Sequence, residues 1–171
     1  MIAAPPAFRW FLISGGGIYK CLYDFFERCA LQIFGLPIDE VRETLWQNME
    51  KIGTTESLNN SEPLNIYPMF NGTRSEPTIR GSISNIGTNN FTPDNLIVST
   101  IQGMANTYKE AIPNNVLKQV RTIYGSGNGI KRNALMCRIL SEVFEKQIIV
   151  SDCNEEAALG AAMCVMDNQT I

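Results

Sequence analysis

The stretch "YGSGNGIKRN", Tyr124 to Asn133, sets glycines at 125, 127 and 129 directly after a β-branched run and ahead of a helical pattern. A strand ending this way exposes backbone N–H groups with no side chain in front of them, at the positive end of a helix dipole. That geometry suits an anion or a flat ligand lying against the backbone. The spacing fits neither the GxGxxG of a dinucleotide fold nor a phosphate loop closing on Gly-Lys-Ser/Thr, so a tight strand-to-helix turn without a ligand accounts for it as well. A second glycine run, "SGGG" from Ser14 to Gly17, also precedes a helical pattern, and two such turns in one domain can flank a nucleotide. The third feature is "NEEAALGAAM", Asn154 to Met163, with Ala157, Ala158, Gly160, Ala161 and Ala162. A helical Gly160 costs ~1 kcal/mol relative to Ala, which points to close backbone approach, with tight helix-on-sheet packing as the plain alternative.

The chain has no histidine. That excludes a Ser-His-Asp triad, a Cys-His pair and a His-containing zinc site within it. The five cysteines, Cys21, Cys29, Cys137, Cys153 and Cys164, form no CxxC pair and are odd in number, which fits free thiols in a reducing cytosol. Asn-x-Ser/Thr sequons occur at Asn59, Asn71, Asn90 and Asn168, as chance provides in an Asn-rich chain. A net charge of −3 with no basic stripe argues against nucleic acid. No run reaches the ~20 apolar residues that span a bilayer, so no membrane partner is expected.

The elements that must position these glycines follow from periodicity. Ile18, Leu22, Phe25, Phe26, Cys29, Ala30 and Ile33 share helical spacing from Gly17 to Phe34, behind the first glycine run. Asp39 can cap a second helix carrying Val41, Leu45, Met49 and Ile52, with Gly53 as its stop. After a polar loop, "LNIYPMF" from Leu64 to Phe70 and "IRGSISNI" from Ile79 to Ile86 read as strands, the first demoted to an edge or irregular strand by Pro68. Thr92 as N-cap and Pro93 at the first position open a helix through Ile112. The last third alternates strand Val120–Tyr124, helix near Arg132–Phe144, strand Gln147–Ser151 and helix near Glu155–Met166, which implies crossovers and a parallel pair. Residues 1–13 read as an irregular segment and 14–171 as one α/β domain.

These pieces, in this order, resemble the C-terminal domain of the FGGY carbohydrate kinases, and among them the sedoheptulokinases. "SGGG" resembles the family's Gly-Gly turn before a long helix. "MFNGTRSEPTIRGSISNI" resembles its GER-P…RG-I-G segment, with Arg74 at the arginine and Thr73 in place of the glutamate. "LIVSTIQGMANTYKEAI" looks like the helix that follows, "YGSGNGIKRNALMCRILSEVF" like the adenosine-binding turn and "EEAALGAAM" like the closing helix. The resemblance runs from Ser14 to Met166.

It implies an actin-like ATPase (ribonuclease H-like) domain, a mixed sheet flanked by helices, in a sugar kinase that transfers the γ-phosphoryl of MgATP to a ketose. The resemblance assigns Gly125, Ser126, Gly127 and Asn128 to the adenosine side and Asn133 to a polar position facing the base. It puts Gly15 and Gly16 near the phosphates or ribose and Arg74 near the domain cleft. Mg²⁺ is expected to travel with the nucleotide. In that family the catalytic aspartate and the sugar site belong to the N-terminal domain, and no DxGT hairpin precedes Ser14. The chain is therefore expected to be the nucleotide-side half of a cytoplasmic enzyme, with no catalytic residue and no resident metal of its own, inactive alone and prone to self-association through an exposed domain interface. A stand-alone nucleotide-binding or regulatory module and a ligand-free interaction domain on the same fold remain open at this stage.

Overall fold

The structure, a computed structural model, describes residues 15–52, 62–72, 76–131 and 133–151. Helix α1 (Gly15–Gln32) is followed by α2 (Ile38–Ile52), strands β1 (Asn65–Tyr67) and β2 (Ser82–Ser84), and helix α3 (Pro93–Ala111). Then come short α4 (Asn114–Gln119), β3 (Thr122–Gly125), short α5 (Asn128–Lys131), α6 (Ala134–Phe144) and β4 (Gln147–Val150). Arg74, Arg132, the "NEEAALGAAM" run and the helix expected near Glu155–Met166 lie outside the described residues.

Helix α3 is the centre of the core and starts where its sequence says. The Thr92 side chain accepts from the Asn95 N–H at 3.4 Å, and Pro93 occupies a position whose N–H would have no helical partner. Leu96, Ile97, Ile101, Met104 and Ala105 are buried with Ile18 and Leu22 of α1, Met49 of α2, Ile66 of β1 and Leu135, Ile139 and Phe144 of α6. Each large apolar side chain among them contributes ~1.5 to 3 kcal/mol. Gly103 is required: a Cβ there would collide with the Ile66 carbonyl, so α3 and β1 touch backbone to backbone.

Strand β1 pairs antiparallel with β2, Ile66 opposite Ile83, and β3 pairs parallel with β4, Ile123 opposite Ile148. The expected parallel pairing is present, and the two earlier strands pair with each other, but as two separate two-stranded sheets among the described residues. The structure there is mostly helical, where a mixed sheet was expected. β1 stops at Tyr67 because Pro68 has no N–H to continue the ladder. The inner face of the parallel pair, Ile123 and Ile148, packs on the core, while Tyr124 and Ile149 on the other face are exposed, Tyr124 at 73%.

Two buried asparagines tie the β2–α3 connection down. Asn90 donates through Nδ2 to the Asn85 carbonyl at 2.7 Å and to the Glu62 carbonyl at 3.1 Å, and its Oδ1 accepts from Gly87 N–H at 2.7 Å. Asn95 donates to the Asn90 carbonyl at 2.7 Å and to that of Glu62 at 3.2 Å, and accepts from the Ser99 hydroxyl at 2.9 Å. Asn90 is 3% exposed, so its sequon is closed to glycosylation in the folded chain. Cys21, Cys29 and Cys137 are free thiols. No described helix is long and apolar enough to cross a membrane.

Candidate functional site

The sequence puts Gly15 and Gly16 in a turn, but they are the first residues of α1. The missing side chains therefore serve a helix N-terminus, where unpaired backbone N–H groups and the dipole favour negative charge. A Cβ added to Gly16 meets nothing within 4 Å. One added to Gly129 would sit 3.9 Å from the Gly16 backbone nitrogen. The two glycine segments, distant in sequence, thus meet at van der Waals distance, and the open space in front of Gly16 forms a small mouth at their meeting point.

The second wall departs from a plain turn. β3 extends to Gly125, and Asn128–Lys131 wind into α5, closed by the Lys131 N–H to the Gly127 carbonyl at 3.2 Å. Gly127 has φ +98°, a left-handed conformation that only glycine adopts cheaply, and a Cβ there would otherwise meet open space. At Gly125 a Cβ would run into the Ile130 side chain, which folds back over the strand end. Ser126 is exposed beside them. Gly125, Ser126, Gly127 and Asn128 run up to Gly129 in the same segment, as Gly15 does to Gly16, and of these residues Gly16 and Gly129 border the mouth.

Asn133 does not. It is 2% exposed, and its Oδ1 caps α6 by accepting from the Met136 N–H at 2.9 Å, so its side chain is turned inward and cannot face a ligand base. Burial gives this polar residue a structural task in place of the base-facing one that the resemblance implies.

Sequence reasoning passed over Tyr19. It stands three and four residues after Gly16 and Gly15, on the same helix face, and helical side chains tilt toward the N-terminus, back over that first turn. Its only signal was a hydroxyl in an otherwise apolar stripe. Tyr19 is 3% exposed, packs edge-on to Trp46 at 5.4 Å, and its hydroxyl has no hydrogen-bond partner. Burial pushes its pKa up to about 12; the nearby Asn133 side chain opposes that, and the Glu50 charge adds to it. On the same helix Lys20 is held by Asp24 at 2.7 Å.

A groove of about 340 Å³ lies elsewhere, between the β1–β2 hairpin and α3, with Tyr67, Ser84, Gln102, Asn106 and Glu110 on its walls. None of its lining residues belongs to either glycine segment. The mouth is the better candidate because the N-terminus of α1, with its favourable dipole, lies there. Among the described residues no cluster of three acidic or cysteine side chains could hold a metal.

Residues 13–166 match the C-terminal domain of the FGGY family of carbohydrate kinases. The chain belongs to that family. Two solved structures share its fold. One is the xylulose kinase from Rhodospirillum rubrum, at 14% identity and TM-score 0.59 over 82% of this chain. The other is a xyloylose kinase from Brucella ovis, at 15% identity and TM-score 0.53 over 79%. This FGGY domain spans 26% of the length of each. No curated protein is matched.

Proposed function

We propose that this FGGY domain is the nucleotide-side half of a carbohydrate kinase that phosphorylates a ketose, of the sedoheptulose kind, from MgATP. The observation that carries this reading is the meeting of the two glycine segments, Gly129 beside the Gly16 backbone nitrogen, with open space in front of Gly16 and Gly127. In this reading Gly125, Ser126, Gly127 and Asn128 lie along the adenosine, and Gly15 and Gly16 present the α1 N-terminus to the ribose and phosphates. Arg74 is assigned to the cleft edge. The fold is the actin-like one, and the protein is cytoplasmic.

The bound nucleotide supplies the phosphoryl group, and Mg²⁺ held on its phosphates offsets their charge. The residues of this chain bind and orient; they supply no base for the acceptor hydroxyl. With Lys20 held by Asp24, the attraction for phosphate at α1 comes from backbone N–H groups and the helix dipole. The sugar site and the catalytic carboxylate are assigned to the N-terminal domain, and the exposed Tyr124–Ile149 face supports the presence of further covering structure.

The test is calorimetric titration of ADP into the wild-type chain and Gly16→Leu. The substitution fills the open mouth and replaces a helical glycine, so nucleotide affinity should fall at least about tenfold while the melting temperature holds or rises. Equal affinity in two equally stable proteins would place the nucleotide elsewhere. A coupled assay with sedoheptulose and related ketoses should show no turnover by this chain alone.

A further inference from the structure

Helix α1 carries one apolar stripe with two fates. Ile18 and Leu22 put its first turns in the core, whereas Phe25 and Ile33 carry it out into solvent. Where α1 ends, the chain stays apolar: "CALQIFGLPI", Cys29 to Ile38, holds no charged residue in a chain that is 18% charged. Ile33 at 72% and Phe34 at 73% are, with Tyr124, the most exposed large apolar side chains among the described residues, and Leu36 and Ile38 are exposed as well. The Leu36 N–H bonds back to the Ala30 carbonyl at 3.1 Å, so the connection is folded onto the end of α1 and these side chains form one corner.

The corner lies at the opposite end of the α1–α2 pair from the mouth. α1 has 18 residues and starts at Gly15, which puts its last turn ~27 Å from the glycines. α2 runs back antiparallel, with Arg42 on Glu27 and Trp46 against Tyr19. A domain that closes over a nucleotide covers the mouth end, and residues 1–14 and 53–61 join the chain at that same end, at Gly15 and Ile52. The five side chains Phe25, Ile33, Phe34, Leu36 and Ile38 expose on the order of 500 Å², the upper range for a patch on a monomer. Used twice about a two-fold axis, that is roughly 1,000 Å² of the ~1,600 Å² buried in a stable interface, close to the apolar share of homodimer contacts. Charge is depleted in the patch, as at the centre of such contacts, and the nearby charges Lys20–Asp24 and Glu27–Arg42 are paired within the chain.

We propose that this corner is the surface through which two copies of the chain pair, the same side chains serving on both sides of a two-fold axis. The inference rests on the reading of the mouth for which end of α1 faces the rest of the kinase.

The experiment is sedimentation velocity over a concentration series on the wild-type chain, the double variant Ile33→Glu/Phe34→Glu and Tyr124→Glu, with thermal melting and ADP titration of each. The wild type should dimerise with Kd near ~10 μM, and the double variant at least about a hundredfold more weakly. Its melting temperature at low concentration should match wild type, because both side chains already stand in water in the single chain. Tyr124→Glu should dimerise as wild type does. A wild type that stays monomeric at ~200 μM overturns the proposal. So does a dimer that survives the double variant, or one lost in Tyr124→Glu, which moves the contact to the outer face of β3–β4. A monomeric wild type with a double variant that melts well below it would show the corner covered by the chain's own residues 152–171, and also overturns the pairing. ADP affinity should be equal in wild type and double variant. A dimer dispersed by the double variant, in a protein that binds no ADP, removes the nucleotide reading and keeps the pairing.

Discussion

The groove and the mouth are built from opposite materials. The groove between the β1–β2 hairpin and α3 encloses about 340 Å³ and is walled largely by polar side chains, with Gln102, Asn106 and Glu110 exposed along α3. At the mouth two glycine segments meet, and nothing stands within 4 Å of a Cβ placed on Gly16. A ligand in the groove would have to order long, solvated side chains, whereas at the mouth the donors are fixed by helices before anything binds. Volume alone would select the groove; the chemistry of the walls selects the mouth.

The strongest way to break this contrast is Gly103→Val. Its side chain would be driven into the Ile66 carbonyl beneath the groove, so stability should fall by ~3 kcal/mol, about 10 °C in melting temperature. ADP affinity per folded molecule should not change. If nucleotide binding vanished in protein that remains folded, the groove would be the site. A gentler version truncates the groove rim with Gln102→Ala and Glu110→Ala together, for which calorimetry should return the wild-type ADP affinity.

Next in size is Asn133→Ala, which removes the α6 cap and leaves the Met136 N–H without its acceptor. Denaturant titration should show a loss of ~1 kcal/mol, within the 0.5 to 2 usual for caps. A much larger loss would mean that Asn133 already holds Tyr19 in the free protein.

Alkaline pH gives a smaller effect of defined sign. Burial raises the Tyr19 pKa from 10.0 to about 12, so above pH 10 the unfolded chain releases a proton that the folded chain retains. Stability from this source is complete below pH 10 and declines as pH climbs toward 12; buried Tyr108, raised in the same direction, adds to the decline. The melting-temperature difference between Tyr19→Phe and wild type should therefore widen from about pH 9 to about pH 11. A constant difference would mean that the phenol is not desolvated.

The smallest expected change is a gain. α6 ends in a Schellman turn, with Lys146 N–H bonded to the Ser141 carbonyl and Glu145 N–H to that of Glu142, and it places Glu145 at φ 55° where glycine is preferred. Glu145→Gly should raise stability by up to ~1 kcal/mol and leave ADP affinity untouched.

Legibility in the sequence followed the range of the interaction that decides each feature. Thr92-Pro93 and the apolar stripe of α3 are local signals, and the helix lies where they put it. The parallel pairing of β3 with β4 was readable from the strand–helix–strand rhythm. α2 begins at Ile38, ahead of the Asp39 read as its cap, because Val41 N–H already bonds to the Pro37 carbonyl. The spacing puts Phe25 and Ile33 on the apolar stripe that opens with Ile18 and Leu22, yet Phe25 is 49% and Ile33 72% exposed while Ile18 and Leu22 are in the core, because how far along a helix its packing partners reach is not a local property. Both glycine runs were visible, but their meeting was not, because nothing in either run encodes its distance from the other. Asn133 shows the reverse limit: the sequence shows a polar residue at a helix start, and only burial decides that its side chain faces its own backbone.

The Asn90–Asn95 network constrains how this sequence can drift. Replacing Asn90 takes an acceptor from the Gly87 N–H, and replacing Asn95 takes one from the Ser99 hydroxyl and a donor from two carbonyls; each lost partner inside the fold carries ~1 to 3 kcal/mol. Against a total stability of ~5 to 15 kcal/mol, either single change is a large fraction of the margin. Substitutions at 90 and 95 should then enter a lineage together, or after a stabilising change elsewhere, and relatives should carry either both amides or neither.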